Sequence, residues 1–195
     1  TSITFILIII VYKIIIATVI QPIITIIRNN NLETIDYIIE PSKEDGYPTI
    51  GVQQSGRMTY LHSRIAPSKE NALLKSRIEQ ITQDTVIVFG SGLGYSLEPI
   101  QSNIHIHRVI VIERLSGIEN HINKIFTHQN NCEYLYLSGL DSGTLEKKLT
   151  DMIDLTGIRS IAFIDHPASL RLFPDYYSHA REAVVRVINS KAGNA

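Results

Sequence analysis

A glycine-rich segment that follows an apolar run is the part of this sequence best suited to bind a ligand. The run Val86–Phe89 leads directly into Gly90, Gly92 and Gly94, and Tyr95 follows. Gly90 permits a tight turn after a strand, and Gly92 lets the backbone approach a ligand closely. The N–H groups at the start of the following helix can face anionic or polar atoms. We therefore predict that these three glycines and Tyr95, the glycine turn, bind a cofactor.

A carboxylate stands where such a site needs one. Glu113 ends the second apolar run, and an acid at that place commonly accepts hydrogen bonds from ribose hydroxyls. The spacing Gly-x-Gly-x-Gly is closer to the first motif of S-adenosylmethionine-dependent methyltransferases than to the dinucleotide fingerprint. Two interpretations remain open. The turn and Glu113 form a pocket for a nucleotide-sugar or an S-adenosylmethionine-like molecule, or the glycines only allow close helix packing.

The other candidate groups are less specific. Asp165 and His166 follow the fourth apolar run, so they can serve general acid–base chemistry, or they can cap the loop and the next helix. The chain has a single cysteine, Cys132, which excludes an intramolecular disulfide and a zinc site built on several cysteines. We predict no metal ligand, and we assign no catalytic residue.

Four apolar runs alternate with amphipathic segments from residue 85 onward. They predict strands near 86–89, 109–112, 134–137 and 161–164, with helices between them. Strands that are apolar throughout and alternate with helices indicate a parallel sheet covered on both faces. The fold class is therefore α/β, with a Rossmann-like, mostly parallel sheet in residues 85–195.

A smaller layer is predicted in front of this domain, over residues 31–84. The apolar spacing in Leu32–Glu40 predicts a helix, and Thr49–Gln53 with Met58–Leu61 predicts a β-hairpin that turns at Gly56. A second helix is expected from Ser68 to about residue 81.

Residues 1–30 form an apolar tract in which isoleucine is unusually frequent. Ile3–Ile27 is long enough to span a membrane, although Lys13 and Pro22 interrupt it. A membrane segment, a packing helix of a larger protein and a non-native extension all fit this composition. We predict that the tract does not pack into the core of the α/β domain.

Charge and composition exclude one class of partner. The chain has 18 Lys and Arg against 19 Asp and Glu, a formal net charge of −1. A protein that binds nucleic acid through bulk charge needs a basic excess, so we predict no nucleic-acid partner. The lone cysteine favours a cytoplasmic protein, associated with a membrane only if the apolar tract is a real membrane segment.

The order of motifs resembles the N-terminal domain of motility-associated factor (Maf) flagellin glycosyltransferases, which are related to the 6-hydroxymethylpterin pyrophosphokinase MptE-like family. The resemblance covers residues 31–195 and depends on an ordered set of motifs. These are Asn31-Leu32-Glu33, Tyr60-Leu61-His62-Ser63, Pro67 with Glu70-Asn71-Ala72, Val88–Tyr95, Val111-Ile112-Glu113, His166-Pro167 and Arg171–Tyr177.

Proteins of that family attach nonulosonic acids to flagellin, and a domain after the one matched here is thought to carry the transfer chemistry. The resemblance therefore implies an accessory domain that is not catalytic by itself. Its implied partners are flagellin or a following catalytic domain. A methyltransferase-like protein that uses S-adenosylmethionine is the alternative.

Overall fold

The computed structural model describes residues 35–126, 132–152 and 160–192. Its first part is a small antiparallel sheet of three strands, β1 (Tyr37–Pro41), β2 (Pro48–Gln54) and β3 (Arg57–Tyr60). Strand β2 lies in the middle, between β1 and β3. The predicted hairpin is confirmed, since β2 and β3 pair in an antiparallel register that turns at Ser55 and Gly56.

The helix predicted over Leu32–Glu40 is wrong for residues 37–40, which belong to strand β1. Tyr37 and Ile39 are half-buried, whereas Ile38 between them is 45% exposed. This alternation is the two-residue period of a strand. In so short a segment a few apolar residues fit both periods. Pairing with β2 then decides for the strand.

The larger sheet has the predicted parallel arrangement. A 3-10 turn (Pro67–Lys69) and helix α1 (Glu70–Glu79) precede it, so the second predicted helix is confirmed. The sheet order is β6-β5-β4-β7, and every neighbouring pair is parallel. Its strands and helices, in chain order, are β4 (Thr85–Phe89), α2 (Leu97–Gln101), β5 (Arg108–Glu113), α3 (Glu119–Ile125), β6 (Glu133–Ser138), α4 (Ser142–Met152), β7 (Ile161–Asp165), α5 (Pro167–Leu172) and α6 (Pro174–Ala192).

The direction of the crossovers places helices on both faces of the sheet. The chain moves from β4 to β5 to β6 in one direction, so right-handed connections put α2 and α3 on the same face. The return from β6 to β7 runs the other way and puts α4 on the opposite face. In agreement, α1 packs against α2, and α4 packs against α6. The Rossmann-like fold class is thus observed.

The central strands supply the core. Val86–Phe89 and Val109–Ile112 are at most 1% exposed, as expected for strands covered on both faces. Ile50 and Val52 of β2 and Leu61 after β3 belong to the same hydrophobic cluster. The small sheet and the parallel sheet therefore share one core, which brings the segment after β3 close to the glycine turn.

Within the described ranges, no helix has both the length and the apolar character needed to cross a membrane. The tract Ile3–Ile27, with the prediction about its packing, lies outside the described residues.

Candidate functional site

The glycine turn lies at the carboxyl end of β4, between that strand and α2. Within it, the N–H of Gly90 donates to the carbonyl of Ile112 (2.9 Å), and the N–H of Gly94 donates to the carbonyl of Ser91 (2.8 Å). The intervening N–H groups have side-chain acceptors instead. This edge of a parallel sheet is where such folds bind ligands, so the identity of those acceptors decides what the site can do.

Glu113 is the first of these acceptors. It ends β5 and is 1% exposed. Its Oε2 accepts the N–H of Ser91 (2.7 Å) and the N–H of Gly92 (3.1 Å). Its Oε1 accepts the N–H of Arg114 (2.8 Å) and that of Leu115 (3.3 Å). The carboxylate therefore ties the end of β5 to the glycine turn.

Two tyrosines of α6 complete the surroundings of Glu113. The hydroxyl of Tyr177 donates to Oε1 of Glu113 (2.9 Å), and the hydroxyl of Tyr176 donates to the Glu113 carbonyl (3.2 Å). Burial and the nearby carboxylate raise the pKa of Tyr177 well above its usual value. The phenol therefore remains a hydrogen-bond donor, and it holds the carboxylate against the turn.

His62, from the segment after β3, is the second acceptor. Its Nε2 accepts the N–H of Leu93 (2.9 Å), and its Nδ1 lies 2.8 Å from Oε2 of Glu70. Because a backbone N–H can only donate, Nε2 must be unprotonated, and the ring proton is on Nδ1. Nδ1 thus donates to Glu70, whose Oε1 accepts the N–H of Ser63. The carboxylate orients the imidazole, and the imidazole binds the turn.

The same histidine explains why the second glycine has no side chain. Gly92 has φ +53°, and a Cβ placed there would lie 2.3 Å from Nε2 of His62. The close approach predicted at Gly92 therefore exists, but in this structure a side chain of the same protein makes it. Gly90 is similar, since a Cβ there would lie 2.4 Å from Cβ of Ser169 on α5.

The last two predicted residues of the turn lie in the core. A Cβ at Gly94 would lie 2.8 Å from Ile122 of α3, so this glycine lets that helix approach. Tyr95 is 1% exposed, and its hydroxyl donates to the carbonyl of Pro48 (2.6 Å). Its ring meets the ring of His62 edge-on at 4.8 Å between centroids. Binding of a cofactor by the predicted residues stays a prediction.

Asp165 and His166 take different partners and do not form a pair. Asp165 forms an ion pair with Arg181 on α6. His166 is 7% exposed, and its Nδ1 lies 2.7 Å from Oγ of Ser169. The pKa of His166 is lowered to about 3, mainly by burial and to a smaller extent by the nearby His62. The neutral imidazole stacks obliquely near His62, with 5.0 Å between ring centroids. His166 cannot become a general acid near neutral pH at such a pKa.

Among the described residues, one group of side chains has atoms close enough to hold a metal ion. It consists of His62, Glu70 and His166, whose ligand atoms lie within 4.8 Å of one another. Metal-binding imidazoles use an unprotonated nitrogen. The unprotonated Nε2 of His62 is already bonded to the N–H of Leu93, and its Nδ1 carries the proton donated to Glu70. Both nitrogens of His62 therefore have hydrogen-bond partners within the protein, and the absence of a metal ligand stays a prediction.

Sequence reasoning brought the glycine turn and Glu113 together, but it did not assign roles to the residues that surround them. The missed residues are His62, Glu70, Ser169 and Tyr177. Three of the four lie in motifs of the Maf resemblance, and that position is the signal that could have found them. Their spacing along the chain, by contrast, contains no local pattern.

Comparisons with known proteins leave the family of this chain open. No protein-family model matches the chain, and no curated protein matches it. Among solved structures, the crystal structure of MNMC2 from Aquifex aeolicus is similar to this chain at 17% identity and a TM-score of 0.40. The match covers 80% of this chain, which spans 58% of the length of that one. A likeness at this level supplies no argument about function.

Proposed function

We propose that this chain is an N-terminal accessory domain of a Maf-type glycosyltransferase that modifies flagellin with a nonulosonic acid, and that it is not catalytic by itself. The observation that supports this proposal is the convergence of the resembling motifs. His62, Glu70, the glycine turn, Glu113 and His166 come from distant parts of the chain and meet around one turn. An ordered set of motifs that serves one structural purpose is expected of a domain family.

The hydrogen bonds of these motifs support the non-catalytic part of the proposal. The carboxylate of Glu113 accepts four backbone N–H groups and one phenol, and the lone pair of His62 is used by Leu93. A general base needs a lone pair directed at a substrate. Buried polar groups that hydrogen-bond to each other, rather than to a substrate, make the core rigid and favour a single fold.

The proposed partners are flagellin and the catalytic domain that follows in such enzymes, and the proposed location is the cytoplasm. We propose membrane association only through residues 3–27. The net charge of −1 supports a protein partner over nucleic acid.

The test is to incubate the purified chain with flagellin and a CMP-activated nonulosonic acid, and to measure both complex formation and the intact mass of flagellin. We expect a complex, detected by sedimentation, and no added mass. Transfer of the sugar by this chain alone would refute the non-catalytic role. Absence of a complex, both with flagellin and with the catalytic domain of a Maf transferase, would refute the accessory role.

Calorimetry separates this proposal from the methyltransferase alternative. The ligands are S-adenosylhomocysteine, CMP and a CMP-sugar, each added to the wild-type chain. Tight binding of S-adenosylhomocysteine would favour the methyltransferase. A Gly92 variant is a poor control here, because any side chain at Gly92 collides with His62 even without a ligand. The wild-type isotherms therefore decide the question.

A further inference from the structure

The N–H groups of residues 90–94 in the glycine turn all have acceptors within this chain. Gly90 and Gly94 donate to backbone carbonyls, Ser91 and Gly92 donate to Glu113, and Leu93 donates to His62. In strand–turn–helix sites that bind ligands, such N–H groups face the ligand. We infer that His62 is an internal closing group. It occupies the place of a ligand acceptor at the turn, and it must leave before any ligand can reach the N–H of Leu93.

The position of His62 is fixed on several sides, which distinguishes a built contact from an incidental one. The side chain is 2% exposed. Glu70 holds its Nδ1, the ring of Tyr95 meets it edge-on, and the ring of His166 lies 5.0 Å away. Gly92 leaves the space that the imidazole fills. Each neighbour therefore favours the orientation that points Nε2 at Leu93.

This closure links two parts of the fold. His62 belongs to the segment between β3 and α1, and Glu70 is the first residue of α1, whereas Leu93 lies in the parallel-sheet part. Opening the turn consequently requires the segment after β3 to detach from it. The inference rests on the proposed accessory function in one respect: a domain that binds no ligand of its own loses no activity when the turn is closed.

Chemical rescue of His62→Ala tests the inference. Removal of the imidazole leaves a cavity beside Gly92 and an unpaired N–H at Leu93. We expect the amide hydrogen of Leu93 to exchange at least about tenfold faster than in the wild type. Added imidazole should restore the protection in a saturable way and raise the melting temperature of the variant.

His121→Ala is the matched control. His121 is partly exposed on α3, and its ring meets the ring of Tyr37 edge-on. Its variant should show neither faster exchange at Leu93 nor stabilisation by imidazole beyond that of the wild type. Equal responses of the two variants to imidazole would overturn the inference.

A measurement on the wild type keeps the inference testable if His62→Ala does not fold. The nitrogen-15 spectrum of the histidine rings reports the tautomer, and we expect the proton of His62 on Nδ1, with Nε2 accepting a hydrogen bond. A proton on Nε2 would refute the closure, because that nitrogen could not accept from Leu93. Neither result depends on flagellin binding, so failure here is distinguishable from failure of the proposed function.

Discussion

Replacing Glu113 by Gln should destabilise the protein strongly, although the two side chains have almost the same shape. The carboxylate is buried and has five donors within 3.3 Å. These are the N–H groups of Ser91, Gly92, Arg114 and Leu115 and the hydroxyl of Tyr177. A glutamine amide offers one oxygen and one NH2 group, so its NH2 group must face donors on one side. At least two hydrogen bonds are then lost.

The magnitude follows from the type of these bonds. A hydrogen bond to a charged acceptor contributes about 1.5–3 kcal/mol, so two lost bonds amount to roughly 3–6 kcal/mol. Burial of a neutral amide costs less than burial of a carboxylate, which offsets part of this loss. We expect a decrease of about 2–4 kcal/mol in the free energy of unfolding. For a chain of this length, the melting temperature should fall by roughly 5–15 °C.

Urea and thermal unfolding, followed by circular dichroism, measure this change. The matched control is Glu133→Gln, because Glu133 is 63% exposed and forms a surface ion pair with Arg108. Exposed ion pairs contribute roughly 0–1 kcal/mol. A decrease below about 1 kcal/mol for Glu113→Gln, or one equal to that of the control, would show that the bonds of Glu113 to the turn do not stabilise the fold.

Three further predictions can be checked by unfolding experiments. Gly92→Ala should lower the free energy of unfolding by more than about 2 kcal/mol, because the new Cβ collides with His62. Gly56 also has a positive φ but open space around it, so Gly56→Ala should cost only about 1 kcal/mol; equal losses of the two variants in chemical unfolding would contradict this. His166 has a lowered pKa of about 3 in the folded protein. As the pH falls below about 6.5, the unfolded chain therefore takes up a proton on this residue, whereas the folded protein takes it up only near pH 3. Stability should therefore fall by roughly 2 kcal/mol between pH ~6.5 and ~5, and His166→Gln should flatten this part of the urea-midpoint profile, while an unchanged slope would exclude His166 as the cause. Deletion of residues 1–28 should leave cooperative thermal unfolding, since residues 35–192 contain a continuous core; an aggregated product with no folded baseline would count against it.

The parallel sheet was predictable because its signal is local and repeated. The runs at Val86–Phe89 and Val109–Ile112 are apolar at every position, and the segments between them are long enough for a crossover. The glycine turn was placed at the carboxyl end of β4 for the same reason. Strand β1 was not predicted because it forms through pairing with β2, and the spacing of apolar residues within one segment carries no information about that pairing.

The sequence by itself determined the α/β class, the place of the glycine turn and the position of Glu113 at the end of the neighbouring strand. Only the tertiary structure decided which groups the turn binds. His62 lies about thirty residues before Leu93, and Tyr177 lies more than sixty residues after Glu113. Hydrogen-bond partners at such separations are set when the segments pack into a common core, because the direction of each donor and acceptor depends on the orientation of whole strands and helices.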